Sequence, residues 1–178
     1  MNLIVAVDSQ WGIGYQDRLL FRIKEDQQRF KALTVGKTVI LGRRTLETFP
    51  GGRPLGDRTN IIFTRSPTFS ADPALVCHSL AELKLLLRSM PADDIFVIGG
   101  SSVYQLLLPY CRLAYVTRID CRRPADCYFP DLGRLPGWEL VSCEDHQADN
   151  ARVNGIPEPV PLKFSYCLYR QDPIQEWA

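Results

Sequence analysis

The segment Ile23-Lys24-Glu25-Asp26-Gln27-Gln28-Arg29-Phe30-Lys31-Ala32-Leu33 holds the residue best placed to do chemistry. Its pattern is helical, with Ile23, Phe30 and Leu33 on one face. Asp26 follows Ile23 by three positions and precedes Phe30 by four, so its carboxylate points along that apolar stripe. A carboxylate held there loses water, its pKa rises, and it gains the capacity to store or relay a proton near neutral pH. The same spacing also suits a plainer role, in which Glu25 and Asp26 complement the dipole of a first helical turn. Periodicity alone leaves both readings open.

Two further clusters suit phosphate. Gly42-Arg43-Arg44-Thr45 follows the apolar run Thr38 to Leu41 and stands where a helix would start. Backbone N–H groups, two guanidinium groups and a hydroxyl there make a good phosphate site. Thr64 and Arg65 close the next apolar run, and in a parallel sheet they emerge at the same carboxyl edge. Three arginines meeting there suit the phosphate of a nucleotide ribose; the alternative is a solvated loop that uses arginine for solubility. Gly99-Gly100-Ser101-Ser102 follows the run Ile95 to Ile98. Glycines at a strand-to-helix turn let a ligand approach the backbone, and the helix amino end attracts a pyrophosphate. The run is no G-x-G-x-x-G fingerprint, and paired glycines also make plain tight turns. Gly12-Ile13-Gly14 reads as a mobile loop or a simple connection. His78 and His146 have no metal spacing around them and read as surface residues. Tyr15, Phe129 and Trp138 read as core or surface aromatics rather than a stacking platform for nucleic acid. No G-x-S-x-G or paired Cys/His signature points to covalent catalysis.

The elements that must position these residues alternate along the chain. Leu3 to Val7, Thr38 to Leu41, Asn60 to Thr64, Leu75 to Cys77, Ile95 to Ile98 and Leu113 to Ile119 predict strands. Most are too uniformly apolar for a half-exposed sheet and suit strands covered on both faces. Ser79-Leu80-Ala81-Glu82 is a capping box that opens a helix from Leu80 to Met90, and Ser101 to Leu108 predicts another, ended by Pro109. This alternation implies an α/β domain with a largely parallel sheet. Trp138 to Cys143 and Leu162 to Tyr169 predict two longer strands, separated only by a polar, Pro-rich loop over 147–161, and hence antiparallel neighbours.

At 178 residues the chain is one domain, expected over 1–170, with a loose tail over 171–178 in which Trp177 offers something to pack. Lys plus Arg number 21 and Asp plus Glu 20, which removes the electrostatic case for a nucleic-acid or membrane-surface protein. Cys77, Cys111, Cys121, Cys127, Cys143 and Cys167 contain no C-x-x-C and are too sparse for a disulfide scaffold. Cys77 and Cys167 lie in apolar runs, where a reduced thiol behaves as a small core residue. The start lacks a basic leader and no apolar stretch approaches a membrane span, so a cytoplasmic protein is expected.

Taken together, the order and spacing of these residues resemble dihydrofolate reductase from Met1 to about Tyr169. The markers are Leu3-Ile-Val-Ala-Val-Asp8, Gly12-Ile-Gly14, Asp26-x-x-x-Phe30-Lys31, Gly42-Arg-Arg-Thr45, Arg53-Pro-Leu-x-x-Arg58, Asn60-Ile-Ile, Ile98-Gly-Gly100 with Val103-Tyr104, Thr117-x-Ile-Asp120 and Phe129-Pro-Asp131. The resemblance implies an α/β fold with a central eight-stranded, mainly parallel sheet, an antiparallel C-terminal strand and flanking helices. It implies NADPH as cofactor, dihydrofolate as substrate, antifolates as inhibitors, no nucleic-acid or membrane partner, and a monomer. Asp26 matches the family's acid and Thr117 the residue supporting it; Arg58 matches the arginine that grips the substrate's glutamate carboxylate. Ile4, Val5, Phe30, Leu55, Ile98 and Tyr104 match the substrate pocket. Arg43, Thr64 and Arg65 match the ribose-phosphate site. Ala6, Ile13, Gly14, Gly42, Arg44 and Thr45, with Gly99, Gly100, Ser101, Ser102, Val103 and Tyr104, match the other cofactor contacts; a cis Gly-Gly bond is usual in the family, and 14–19 matches a flap. Leu20-Phe21 departs from the family's Pro-Trp, which removes an indole N–H beside the substrate. Two rivals remain: a riboflavin-pathway reductase, against which Asp26 and Arg58 argue, and a nucleotide-binding module without chemistry.

Overall fold

Strands and helices alternate in the computed structural model, which describes residues 1–176. β1 (Asn2–Val7) leads into a small hairpin of β2 (Gly12–Tyr15) and β3 (Arg18–Leu19), then the short β4 (Phe21–Arg22). Next come α1 (Lys24–Thr34), β5 (Thr38–Gly42), α2 (Arg43–Glu47), β6 (Thr59–Phe63), β7 (Leu75–Cys77) and α3 (Leu80–Leu87). β8 (Ile95–Gly99), α4 (Ser101–Leu107), β9 (Leu113–Ile119), β10 (Cys127–Tyr128), β11 (Trp138–Val153) and β12 (Val160–Gln171) follow. The capping box at α3 forms: Ser79 Oγ accepts from the Glu82 N–H at 3.2 Å, and the Glu82 carboxylate accepts from the His78 N–H at 2.9 Å.

The main sheet has nine strands in the order β4-β11-β12-β9-β1-β8-β5-β6-β7. It is parallel from β9 to β7 and antiparallel from β9 through β12 and β11 to β4. Eight of these strands match the expected sheet; β4 adds a ninth by pairing Phe21 with Val153 and Arg22 with Arg152. Along β1, Leu3, Val5 and Val7 enter one core cluster while Ile4 enters the cluster on the opposite face, as a doubly covered strand requires. β5 divides the same way, with Ile40 on one side and Val39 and Leu41 on the other.

Four expectations change. The antiparallel pair is longer than its apolar pattern, because β11 runs on through Gln147–Val153, the segment expected to be loop. Register shifts between Leu140 and Ser142 and between Ala148 and Ala151 break the two-residue period that would have marked it. Cys167 is not a lone thiol: it lies directly opposite Cys143, and the two form a disulfide. The histidines are half-buried rather than surface residues. His78 Nδ1 lies 2.9 Å from the Thr64 carbonyl oxygen, and the His146 ring stands 4.5 Å from that of Tyr166 and 5.6 Å from that of Phe164. The tail is tied back as far as it is described: the N–H groups of Gln171, Asp172 and Gln175 donate to Arg112, Gly137 and Pro109. Trp177 lies outside the described residues. Among these, no helix is long and apolar enough to cross a membrane.

Candidate active site

Asp26 is the third residue of α1, and that helix lies where its first turn meets β9. Thr117, only 1% exposed on β9, donates its hydroxyl to Asp26 Oδ1 at 2.5 Å. Burial raises the pKa of Asp26, opposed by the Thr117 hydrogen bond and by the charge of Arg29. The acid thus stands in a first helical turn and is also desolvated. Phe30, one turn on, reaches the Arg58 side chain, whose guanidinium carbon lies 5.9 Å from its ring centroid. Arg58 Nε donates to the Gly56 carbonyl at 3.1 Å, and partial burial lowers its pKa against the pull of Asp57. An acid at one end and an arginine at the other thus bracket an apolar stretch. Ile4, Phe30, Leu55 and Ile98 share the cluster that forms it. Val5 does not join them; it belongs to the core cluster on the opposite face of the sheet, as do Val103 and Tyr104. Tyr104, 5% exposed, donates its hydroxyl to the Ile4 carbonyl at 2.7 Å, and burial pushes its pKa up.

A second group of predicted residues meets at the carboxyl edge of the sheet. β5 and β6 are parallel, with Gly42 opposite Phe63, so Arg43, Arg44 and Thr45 leave the sheet beside Thr64 and Arg65. Arg43 Nη1 pairs with Glu47 Oε1 at 3.0 Å on the exposed side of α2. β8 lies on the other flank of β5 and ends with Leu41 opposite Gly99. The Gly99–Gly100 peptide is cis. A Cβ built on Gly100 would stand 3.0 Å from Thr45 Oγ1, and one on Gly42 3.2 Å from Val103 Cγ2. Side chains at either position would fill the groove between the two strand ends. Bare backbone, flanking arginines and hydroxyls fit the phosphates of a dinucleotide. Ser101 opens α4 and donates to the Tyr128 carbonyl at 3.4 Å, while Ser102 is exposed.

The segment over 14–19 forms a hairpin. Gln16 and Asp17 have φ of 50° and 57°, a turn whose twist suits the two flanking strands. Gly14 and Ile13 lie on β2, which β10 covers, with Cys127 opposite Gly14. Sequence reasoning missed the groups that hold this region. Asp126 accepts from the Gln16 N–H at 2.9 Å and donates its own N–H to the Gly14 carbonyl at 3.1 Å. Asp8, 1% exposed, accepts from the N–H groups of Gln10 and Gly12 and from that of Arg123. Its signal was there to read, an aspartate closing an apolar strand with glycine four residues on. Asn60 was also missed as a positioning group. It is 5% exposed, and its amide brackets the Arg58 loop through Leu55 N–H, Leu55 C=O and Arg58 C=O. Leu20 and Phe21 are buried with Ile23, Ile119, Val153 and Phe164; Ala6 packs against that cluster.

Residues 1–157 match the family model described as dihydrofolate reductase. The chain is 36% identical over 145 residues to dihydrofolate reductase of Staphylococcus haemolyticus, covering 81% of this chain and 84% of that one. It is 35% identical over 150 residues to dihydrofolate reductase type 3 of Salmonella typhimurium, covering 84% and 90%. Against dihydrofolate reductase of Bacillus subtilis the identity is 32% over 171 residues, covering 96% and 94%. A solved dihydrofolate reductase from Enterococcus faecalis, complexed with NADP(H) and RAB-propyl, matches with a TM-score of 0.77 at 30% identity, covering 96% of this chain and 95% of that one. Sequence and fold agree, and the chain belongs to the dihydrofolate reductase family.

Proposed function

We propose that this chain reduces 7,8-dihydrofolate to 5,6,7,8-tetrahydrofolate with NADPH, supplying one-carbon metabolism, with Asp26 as its acid. The observation that carries the site assignment is the part-buried Thr117–Asp26 hydrogen bond, with Phe30 one turn along the same helix reaching Arg58. NADPH, when bound, supplies a hydride to the substrate's ring carbon. The chain's residues do the rest. Asp26 accepts hydrogen bonds from the ring N–H and amino group of the pterin, which fixes its orientation. Desolvation of the carboxylate raises its proton affinity, and this supports protonation of the ring nitrogen next to the reduced carbon. Thr117 holds the acid in place through a hydrogen bond to Oδ1. Ile4, Phe30, Leu55 and Ile98 exclude water from the middle of the substrate. Arg58 takes the glutamate carboxylate through two parallel N–H bonds. Arg43, Thr64 and Arg65 take the ribose phosphate, favouring NADPH over NADH. Gly42, Arg44, Thr45 and the Gly99–Val103 turn take the pyrophosphate and nicotinamide, and antifolates compete in the Asp26 pocket.

We read the chain as a cytoplasmic protein whose working unit is a monomer. The test is NADPH oxidation by purified protein with dihydrofolate, beside Asp26→Asn and an NADH control. Turnover that needs NADPH and falls in the variant is expected. Tight NADPH binding without turnover would overturn the activity while leaving the nucleotide site intact.

A further inference from the structure

Arg29 lies on α1 one turn beyond Asp26, and the reaction as described leaves it idle. Its guanidinium carbon is 4.0 Å from the ring centroid of Tyr166 and 5.8 Å from that of Tyr115. Nη1 is sealed from solvent and has no hydrogen-bond partner among the described residues. The sheet register explains the arrangement. Tyr166 on β12 stands opposite Thr117 on β9, and Tyr115 and Thr117 share one face of β9. The sheet face that brings Thr117 to Asp26 therefore also brings two aromatic rings to Arg29. An exposed arginine would turn toward water; this one is detained on ring faces, whose quadrupoles attract a cation.

We infer that Arg29 is a positioning residue for the reduction: clamped on Tyr166 behind Asp26, its fixed positive charge holds the carboxylate in the ionised form that grips the pterin. The inference rests on the function proposed above. The other groups around Asp26 are Thr117 on β9, Tyr104 on α4, Tyr166 on β12 and Glu25 on its own helix, with Glu144 on β11 beyond Tyr166. Arg29 is the one cation in this described set. Burial works against ionisation of the acid, and Arg29 works for it.

The experiment is the pH profile of kcat/KM for dihydrofolate in wild type, Arg29→Gln and Arg29→Lys, with thermal unfolding as a fold control. Arg29→Gln should move the inflection to higher pH by about half a unit or more, the scale of a unit charge one helical turn away. Arg29→Lys should restore it. A superimposable profile, whatever the loss in rate, would overturn the inference and leave Arg29 a packing strut. Should Arg29→Gln fail to fold, Tyr166→Leu frees the guanidinium while keeping its charge; a smaller upward move is expected, and none would overturn the inference. Should wild type not reduce dihydrofolate at all, the carboxyl ¹³C titration of Asp26 still reads the pair. An upward move in Arg29→Gln would then support Arg29 while the substrate assignment falls, and coincident titrations would overturn Arg29's role.

Discussion

A carboxylate that serves a pterin has two opposed duties: to carry enough charge to accept its N–H groups, and to be dry enough to govern a proton. In the mechanism proposed above, Asp26 meets both because burial and its polar neighbours pull in opposite directions. Asp26→Asn keeps the shape and loses the charge. We expect kcat to fall by about 10²- to 10⁴-fold near neutral pH, with NADPH affinity unchanged in a fluorescence titration. An unaltered rate would remove Asp26 from the mechanism. Arg58→Lys should raise the Kd for dihydrofolate by roughly tenfold, since a point charge replaces a two-pronged donor. The Kd of a tail-free antifolate should hold, and equal losses for both would refute the assignment. Helical spacing placed Asp26 toward an apolar face, but only the family resemblance singled it out from a plain first-turn acid. Arg29 and Asn60 were not, since their roles depend on partners brought near by register and loop geometry: Tyr166 for one, the Leu55 and Arg58 backbone for the other.

Among the elements, the loop after α2 shows how one buried amide sets a binding group. Asn60 satisfies the backbone of Leu55 and Arg58 from the second position of β6. Asn60→Ala leaves those groups unpaired and should cost about 1–3 kcal/mol in urea unfolding. KM for dihydrofolate should rise as well, with kcat little changed, because the loop presents Arg58 rather than the reacting ring. A fall in kcat with KM constant would contradict that role. The parallel strands and the capped start of α3 were readable, as apolar runs and capping boxes are local signals. The second half of β11 was not, because Ala148, Ala151 and Val153 bury their side chains across a bulge in an otherwise polar segment. The Cys143–Cys167 pair was hidden for a related reason: only the register of β11 on β12 sets those positions opposite each other.

For the whole molecule, the acid is a liability. Its pKa is raised in the folded chain, so its ionisation opposes folding. That cost is absent below the ordinary carboxylate range, grows as pH rises toward the folded-state value, and is complete above it. Asp26→Asn should therefore melt above wild type at about pH 7, with the gap closing by about pH 4. A gap of the same size at both pH values would show that ionisation is not its source. In the mechanism proposed above, activity and stability are traded at a single side chain. The order of the strands carries a different consequence, one of timing. β1 occupies the middle of the sheet, yet the strands on its two flanks begin at Ile95 and Leu113, more than ninety residues after Asn2. At a synthesis rate of roughly 5–20 residues per second, that run of apolar residues waits roughly 5–20 s on the ribosome before either neighbour exists. The earliest strand to be made is among the last to be sheltered, and a nascent chain that stalls before β8 exposes what should become the centre of its core.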